Sequence, residues 1–284
     1  MSQKVHRQTM RPPGRELTWE SFPQGNSRHP CPACDKSPKD RALSVTITGR
    51  NGIAFCFRCK FCESSGGPIR SGDSAAFALR ETKHTKLSDY WRAIWRECVP
   101  ISGVAREYLI SRNCFIPPRD GDLRWHPEMK HGSGFVGPAL VGLISDAITR
   151  EPLSLHRTWI RRNGQKSIEG AKRYIYGHRK ARGVVRLWPD ESVHAGLGIG
   201  EGIESVLSLA HAFQPVWACL DSGNLNAFPV LPSIAALSIG ADNDDAGLRA
   251  AENCAHRWLE AGREVRIILP AKVGSDLNDL AGAP

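Results

Sequence analysis

No apolar run in these 284 residues approaches the roughly 18–20 that a membrane span requires. The opening stretch, MSQKVHRQTMRPPG, has basic residues with no apolar core behind them, so it does not read as a signal peptide. A cytoplasmic protein is expected. The phosphate loop G-x-x-x-x-G-K-[ST] is missing, and so are internal repeats and low-complexity tracts. Cysteine is not scarce: there are nine, and without an export signal they read as metal ligands or free thiols, not as a disulfide framework. The hydrophobic share of 41% and charged share of 24% are those of an ordinary globular chain long enough for two or three domains.

The formal charge of +9 is unevenly spread. Residues 191–284 carry 5 Lys/Arg against 12 Asp/Glu, whereas the first 190 carry 33 against 17. A half at +16 joined to a half at −7 suggests one part that meets a polyanion and another that holds cations. A merely soluble basic surface would give the same totals, so the motifs have to decide.

Residues 1–25, with Arg11-Pro12-Pro13-Gly14, read as a flexible tail. Residues 26–70 are compact and cysteine-rich. Cys31-Pro32-Ala33-Cys34 and Cys56-Phe57-Arg58-Cys59 form two C-x2-C knuckles with 21 residues between them. Each knuckle brings two thiolates to one ion, and a hairpin between them completes a tetrahedron around zinc. Strand-like runs at 42–47 and 53–57 flank Asn51-Gly52, a dipeptide that favours a hairpin turn. A β zinc ribbon is therefore expected, with Cys31, Cys34, Cys56 and Cys59 as ligands and Cys62 or His29 as possible substitutes. Cys98, Cys114, Cys219 and Cys254 stand alone and read as inert thiols.

A polar linker over 71–88 leads into a basic middle subdomain, 89–192, of mixed structure. Tyr90, Trp91, Ile94 and Trp95 fall at helical spacing, as do Val104, Tyr108 and Leu109; the Trp pair reads as a core stripe before a base-stacking platform. Runs at 138–144 and 153–160 read as strands. Arg157, Arg161-Arg162, Lys166, Lys172-Arg173 and Arg179-Lys180 crowd together, and Arg157, Lys166, Lys172 and Arg173 are the candidates for phosphate contacts. Singly, each is equally well a solvated charge.

From 193 to 284, strands at 197–200, 216–220, 236–239 and 265–269 alternate with helical patterns, which gives an α/β fold with a parallel sheet. Ligands in such sheets gather at the carboxyl ends of strands. Glu201 follows the first strand, Asp242-Asn243-Asp244-Asp245-Ala246-Gly247 a later one, and Gly274-Ser275-Asp276-Leu277-Asn278-Asp279 the last. Gly200-Glu201-Gly202, then D-x-D-x-A-G, then G-x-D-x-N-D, in that order, resembles the Toprim domain. That domain is shared by DnaG-type primases, topoisomerases, the mediator RecR and some nucleases.

The resemblance covers the last 90 or so residues and implies a Rossmann-like Toprim fold. It implies Glu201, Asp242 and Asp244 as an acidic triad around Mg2+, with Mn2+ able to substitute, and Asp276 as a further ligand. Glu204 and Asp279 are weaker candidates, Asp245 reads as a helix N-cap, and Glu201 is left open as base or ligand. Gly66-Gly67 after the second knuckle resembles the close of primase zinc ribbons, and the strand-loop pattern of 138–177 resembles the primases of phages, plasmids and other mobile elements. The implied function is primer synthesis from ribonucleoside triphosphates on single-stranded DNA, with a replicative helicase as a separate protein and no membrane partner. A RecR-like recombination mediator without catalysis, or a Toprim nuclease, is the alternative.

Overall fold

The computed structural model describes residues 17–34, 40–49, 51–56, 58–59, 61–65, 84–168, 170–275 and 277–280. Two units, divided between residues 80 and 81, are described separately.

In the first unit a short 3-10 turn, Trp19–Ser21, precedes four strands: β1 (Gly25–His29), β2 (Leu43–Thr48), β3 (Asn51–Cys56) and β4 (Cys62–Ser64). They form one antiparallel sheet in sequence order. The chain reverses between paired Thr48 and Asn51, with Gly49 at φ 61°, so the turn lies two residues before the expected Asn-Gly pair. Gly52 is needed for packing instead: a Cβ there would run into the indole of Trp19. Leu43, Val45, Ile47 and Ala54 are buried, and Leu17, Trp19 and Phe22 pack against them. These three come from the stretch expected to be a flexible tail; residues 1–16 lie outside the described residues. So small a core supplies little burial, which leaves stability to whatever ties the knuckles together.

The second unit opens with helix α1 (Asp89–Glu97), strand β5 (Val99–Pro100) and helix α2 (Gly103–Ser111). Strands β6 (Leu123–Lys130), β7 (Val136–Asp146), β8 (Pro152–Trp159), β9 (Lys172–Tyr174) and β10 (Gly183–Arg186) follow. Then come β11 (Gly196–Gly200), α3 (Ile203–Leu209), β12 (Val216–Ala218), α4 (Ser222–Asn226), β13 (Ala236–Gly240), α5 (Asp245–Glu260), β14 (Glu264–Ile268) and α6 (Leu277–Leu280).

These strands make one ten-stranded sheet. Its path runs β14-β13-β11-β12-β10-β7-β6-β5, with β8 and β9 branching from β7. Strands β12, β11, β13 and β14 are parallel, as the alternation of strands and helices predicts. Strand β10 pairs antiparallel with both β12 and β7, so the basic strands and the parallel strands share one ladder.

Side-chain alternation sets what covers each face. Trp91, Ile94 and Trp95 of α1 pack with Val141, Leu155 and Trp159, so the expected stripe forms, but Tyr90 is left 67% exposed. On the reverse, Tyr108 and Leu109 of α2 and Val206 and Leu207 of α3 pack with Leu140, Ile144 and Leu153. In β11 Leu197 and Ile199 face α5, which buries Ala250, Ala251, Cys254, Ala255 and Trp258 at spacings of three and four. Gly198 and Gly200 alternate with them and leave room for Phe213 and Val206. Helix α3 therefore lies close on β11, which fixes where the chain emerges at Glu201.

Candidate functional site

Parallel pairing aligns the ends of β12, β11 and β13: Gly200 is opposite both Ala218 and Gly240. The next residues of all three strands therefore leave the sheet along one edge. The amide of Cys219 donates to the Gly200 carbonyl and that of Leu220 to the Glu201 carbonyl, each at 2.7 Å. Leu220 is held at φ 75°, an unfavourable region for a branched residue, and its carbonyl accepts from the Tyr174 hydroxyl at 2.9 Å.

Glu201 is the electrostatic centre of this edge. Burial, then the charges of Asp242, Asp244 and Asp221, push its carboxyl up to about 8. Its Oε1 is buried and has no hydrogen-bond partner among the described residues. An orphaned carboxylate oxygen facing further carboxylates suits a bound cation, so the donor set fits a hard divalent metal.

Asp244, not Asp245, is the N-cap of α5. Its backbone is extended, and its Oδ1 accepts from the amides of Ala246 (2.9 Å) and Gly247 (2.8 Å), whereas Asp245 is already helical. A Cβ at Gly247 would come within 2.5 Å of the Asp242 carbonyl and 3.2 Å of Glu201 Oε1, so glycine permits this close approach. Asn243 ties the same loop to the last acidic segment through Ser275, Gly274 and Pro270. Asp276 and the side chain of Asp279 lie outside the described residues.

Asp221 was not singled out in the sequence, although the rule of strand carboxyl ends reaches it. It caps α4 through the amide of Asn224 at 2.8 Å and accepts from Lys180 Nζ at 2.7 Å. That ammonium also lies 4.6 Å from the Tyr174 ring centre. Lys180 and Tyr174 thus join the acidic edge to the basic segment.

Glu204, three residues after Glu201, is occupied elsewhere. Its Oε2 accepts from Lys172 Nζ at 2.7 Å and its Oε1 from the Tyr108 hydroxyl at 2.9 Å. Burial alone would raise its carboxyl, but Lys172, Lys166 and the Tyr108 hydroxyl together outweigh burial and hold it at about 2. Burial and the same ammonium hold His156 down to about 4.

The four basic candidates do not share one surface. Lys172 pairs with Thr158, on the sheet face toward α3. Arg157 and Arg173 pair with each other on the α1 face, and Lys166 is exposed in the intervening loop.

In the first unit the sulfurs of Cys31, Cys34, Cys56 and Cys59 all lie within 4.8 Å of one another. Among the described residues this is the set whose ligand atoms close to that distance. Cys31 and Cys59 are 3.7 Å apart, Cys34 and Cys56 3.6 Å. Sulfurs about 2.3 Å from a zinc ion form a tetrahedron with edges of roughly 3.8 Å, far longer than a disulfide bond. The cluster is consistent with one structural zinc. Burial raises the Cys31 and Cys59 thiols, whereas at Cys56 the amides of Cys59 and Arg58, with the neighbouring sulfurs, outweigh burial and hold the thiol below the usual range. His29 is not in the set: its Nε2 meets Ser27 at 2.8 Å and its ring packs on Phe22. The side chain of Cys62 lies outside the described residues. Cys98, Cys114, Cys219 and Cys254 are buried, and burial raises all four thiols.

Residues 196–283 match the sequence profile of the Toprim domain. Residues 85–187 match a profile described as a domain of unknown function, DUF7146. No curated protein matched the chain. Among solved structures, the zinc-binding and RNA polymerase domains of the Aquifex aeolicus primase align at 18% identity and a TM-score of 0.42, covering 90% of this chain and 75% of that one. The primase fragment of the bacteriophage T7 primase-helicase aligns at 17% identity and 0.39, covering 89% and 92%. A DNA primase domain from Pseudomonas aeruginosa aligns at 13% and 0.35, covering 74% and 67%. Among the described residues no helix is long and apolar enough to cross a membrane.

Proposed function

We propose, on the premise that residues 196–283 are a Toprim domain, that this chain is a DNA primase making short primers from ribonucleoside triphosphates on single-stranded DNA. The observation that carries the reading is the buried, unpartnered oxygen of Glu201, set against the charges of Asp242, Asp244 and Asp221. Such an edge suits a cation, and Glu201, Asp242 and Asp244 would hold Mg2+, with Asp276 as a further ligand. Bound there, the metal supplies charge neutralisation for phosphate oxygens.

The chain's own groups do the positioning. Asp244 spends one oxygen on the amides of α5 and keeps the other for the cation. The Leu220 amide fixes the backbone of Glu201, and Tyr174 fixes Leu220. Lys180, at Asp221, is placed to meet nucleotide phosphates. Arg157, Lys166 and Arg173 contact phosphates elsewhere on the basic segment, and Lys172 does so only by leaving Glu204. Four cysteines would hold one Zn2+, whose module reads the template, and a replicative helicase is the expected partner.

The test is incubation of the chain with single-stranded DNA, labelled ribonucleotides and Mg2+, beside Glu201→Gln and Asp242→Asn. Short labelled oligomers from the wild type alone support the reading. Intact template without product overturns it in favour of a binding mediator, and shortened template in favour of a nuclease.

A further inference from the structure

We propose that the cleft where β7 begins and β8 ends docks another protein, which inserts a large apolar side chain flanked by carboxylates. A cavity of about 350 Å³ opens there, lined by Val104 of α2, Phe135, Pro138, Ile160, Arg161 and Arg162. Its size is that of a ligand cleft, roughly 300–1,000 Å³. Neither arginine has a part in the proposed function.

Local chemistry builds the site. Strand β8 ends at Trp159, and the Ile160 amide donates to the Pro138 carbonyl at 3.0 Å, which closes the floor. The chain then turns tightly. The Arg161 amide donates to the Gln165 carbonyl at 2.8 Å, Asn163 Oδ1 accepts from the Gln165 amide at 3.2 Å, and Gly164 takes φ 76°. Both arginines are left exposed on this turn. It is braced on α2, where Glu107 accepts from Arg162 at 2.6 and 2.7 Å and the Ser111 hydroxyl donates to the Arg162 carbonyl at 3.3 Å. Gly137 lets the Phe135 ring fold over the strand, since a Cβ there would come within 2.8 Å of it. The cleft is thus preformed, which lowers the ordering cost of binding.

Below its rim the cleft offers nothing to a polar ligand. Val104, Phe135, Pro138 and Ile160 are apolar, Pro138 has no amide hydrogen, and the Ser167 hydroxyl is engaged by the Ile160 carbonyl. A nucleobase placed there would bury its polar edge unsatisfied, whereas an aliphatic or aromatic side chain would not. At the rim two guanidiniums stand against the carboxylate of Glu107. Arg161 meets the Ser167 carbonyl at 3.1 Å and no carboxylate among the described residues. An apolar floor under a positive rim complements an apolar anchor beside aspartate or glutamate, whose paired oxygens match a guanidinium. The site is remote from the acidic edge. From Pro138 to Asp146 along β7 is about 26 Å, at roughly 3.3 Å per residue. Asp146 pairs with Gly183, close to Lys180 and hence to Asp221. The inference therefore stands whether or not the chain makes primers.

The test is fluorescence anisotropy of a labelled acidic peptide with an apolar centre, DDLFDD, titrated with the full chain. Saturable binding is expected, weakened several-fold by salt, with KKLFKK and DDSSDD both much weaker. Val104→Asp puts a charge on the apolar wall and Arg161→Glu reverses the rim. Each should weaken DDLFDD about ten-fold, the scale on which close interfacial charges couple. Arg266→Glu, the same charge change on exposed β14, should leave binding unchanged. Absence of saturable binding, equal binding of DDSSDD, or wild-type affinity in Val104→Asp with a wild-type melting curve would overturn the inference. Oligo(dT) that displaces DDLFDD and is itself weakened by Val104→Asp would also overturn it, giving the cleft to nucleic acid. If Val104→Asp does not fold, Arg161→Glu on the exposed turn decides alone.

Discussion

Glu201 and Glu204 lie three residues apart and are driven in opposite directions, one up to about 8 and the other down to about 2. The difference is the company each keeps: three carboxylates around the first, a lysine and a tyrosine hydroxyl on the second. Glu201→Gln replaces a buried carboxyl whose charged form burial and three neighbouring carboxylates oppose. It should raise the metal-free melting temperature, in line with the 1–3 kcal/mol or so that an unsatisfied buried group costs. On the proposed function Mg2+ should raise the wild-type melting temperature and Glu201→Gln should abolish that rise; thermal melts with and without the ion check both. His156 gives the pH dependence. Its folded pKa of about 4 lies below the ordinary 6.5, so the unfolded chain takes the proton first as pH falls. Its stabilising share is complete above 6.5 and is lost between 6.5 and 4, about 2 kcal/mol of it by pH 5. Urea titrations at pH 7 and 5 should show that loss in the wild type and not in His156→Phe. Glu201, Asp242 and Asp244 were legible because each follows a strand within an ordered motif, whereas Asp221 follows a strand without one. The capping role was misread because Asp244 and Asp245 are both competent caps, and only backbone conformation separates them.

Lys172 on β9 and Glu204 on α3 join two elements that sequence places 32 residues apart. The pair is half in water, since Lys172 is 42% exposed and Glu204 only 6%. Lys172→Ala should therefore cost about 2–3 kcal/mol, less than a fully buried pair, by leaving Glu204 without its countercharge. Adding Glu204→Gln should recover part of that loss, so a double-mutant cycle by urea melts should be clearly non-additive; additivity would mean the pair contributes nothing. The elements themselves were readable. Knuckle spacing gave the cysteine cluster, and alternating apolar runs gave β11, β13 and β14 to within a residue or two. The hairpin turn was displaced because Asn-Gly carries two meanings: here Gly52 serves the Trp19 contact, while Gly49 takes the positive φ. Pairing of β10 with β12 was not legible, since periodicity shows that a strand exists and not which strand it meets.

Over the whole chain, the two units depend on different sources of stability. The first has a few buried aliphatic side chains and four thiols at zinc-binding distance; the second has three large apolar clusters. Zinc binding in so small a module contributes on the order of 10 kcal/mol to its folding. A strong chelator should therefore abolish a low-enthalpy unfolding transition belonging to residues 17–65 and leave the transition of residues 84–280 in place. Differential scanning calorimetry, with Cys34→Ser as the genetic counterpart, checks it; loss of both transitions would contradict it. The continuous sheet of the second unit has a mechanical consequence. From β8 to Glu201, every link is a ladder of backbone hydrogen bonds through β7, β10, β12 and β11. A load applied at β8 is thus carried as shear through stiff springs in series to the edge at Glu201, instead of being dissipated in a flexible joint.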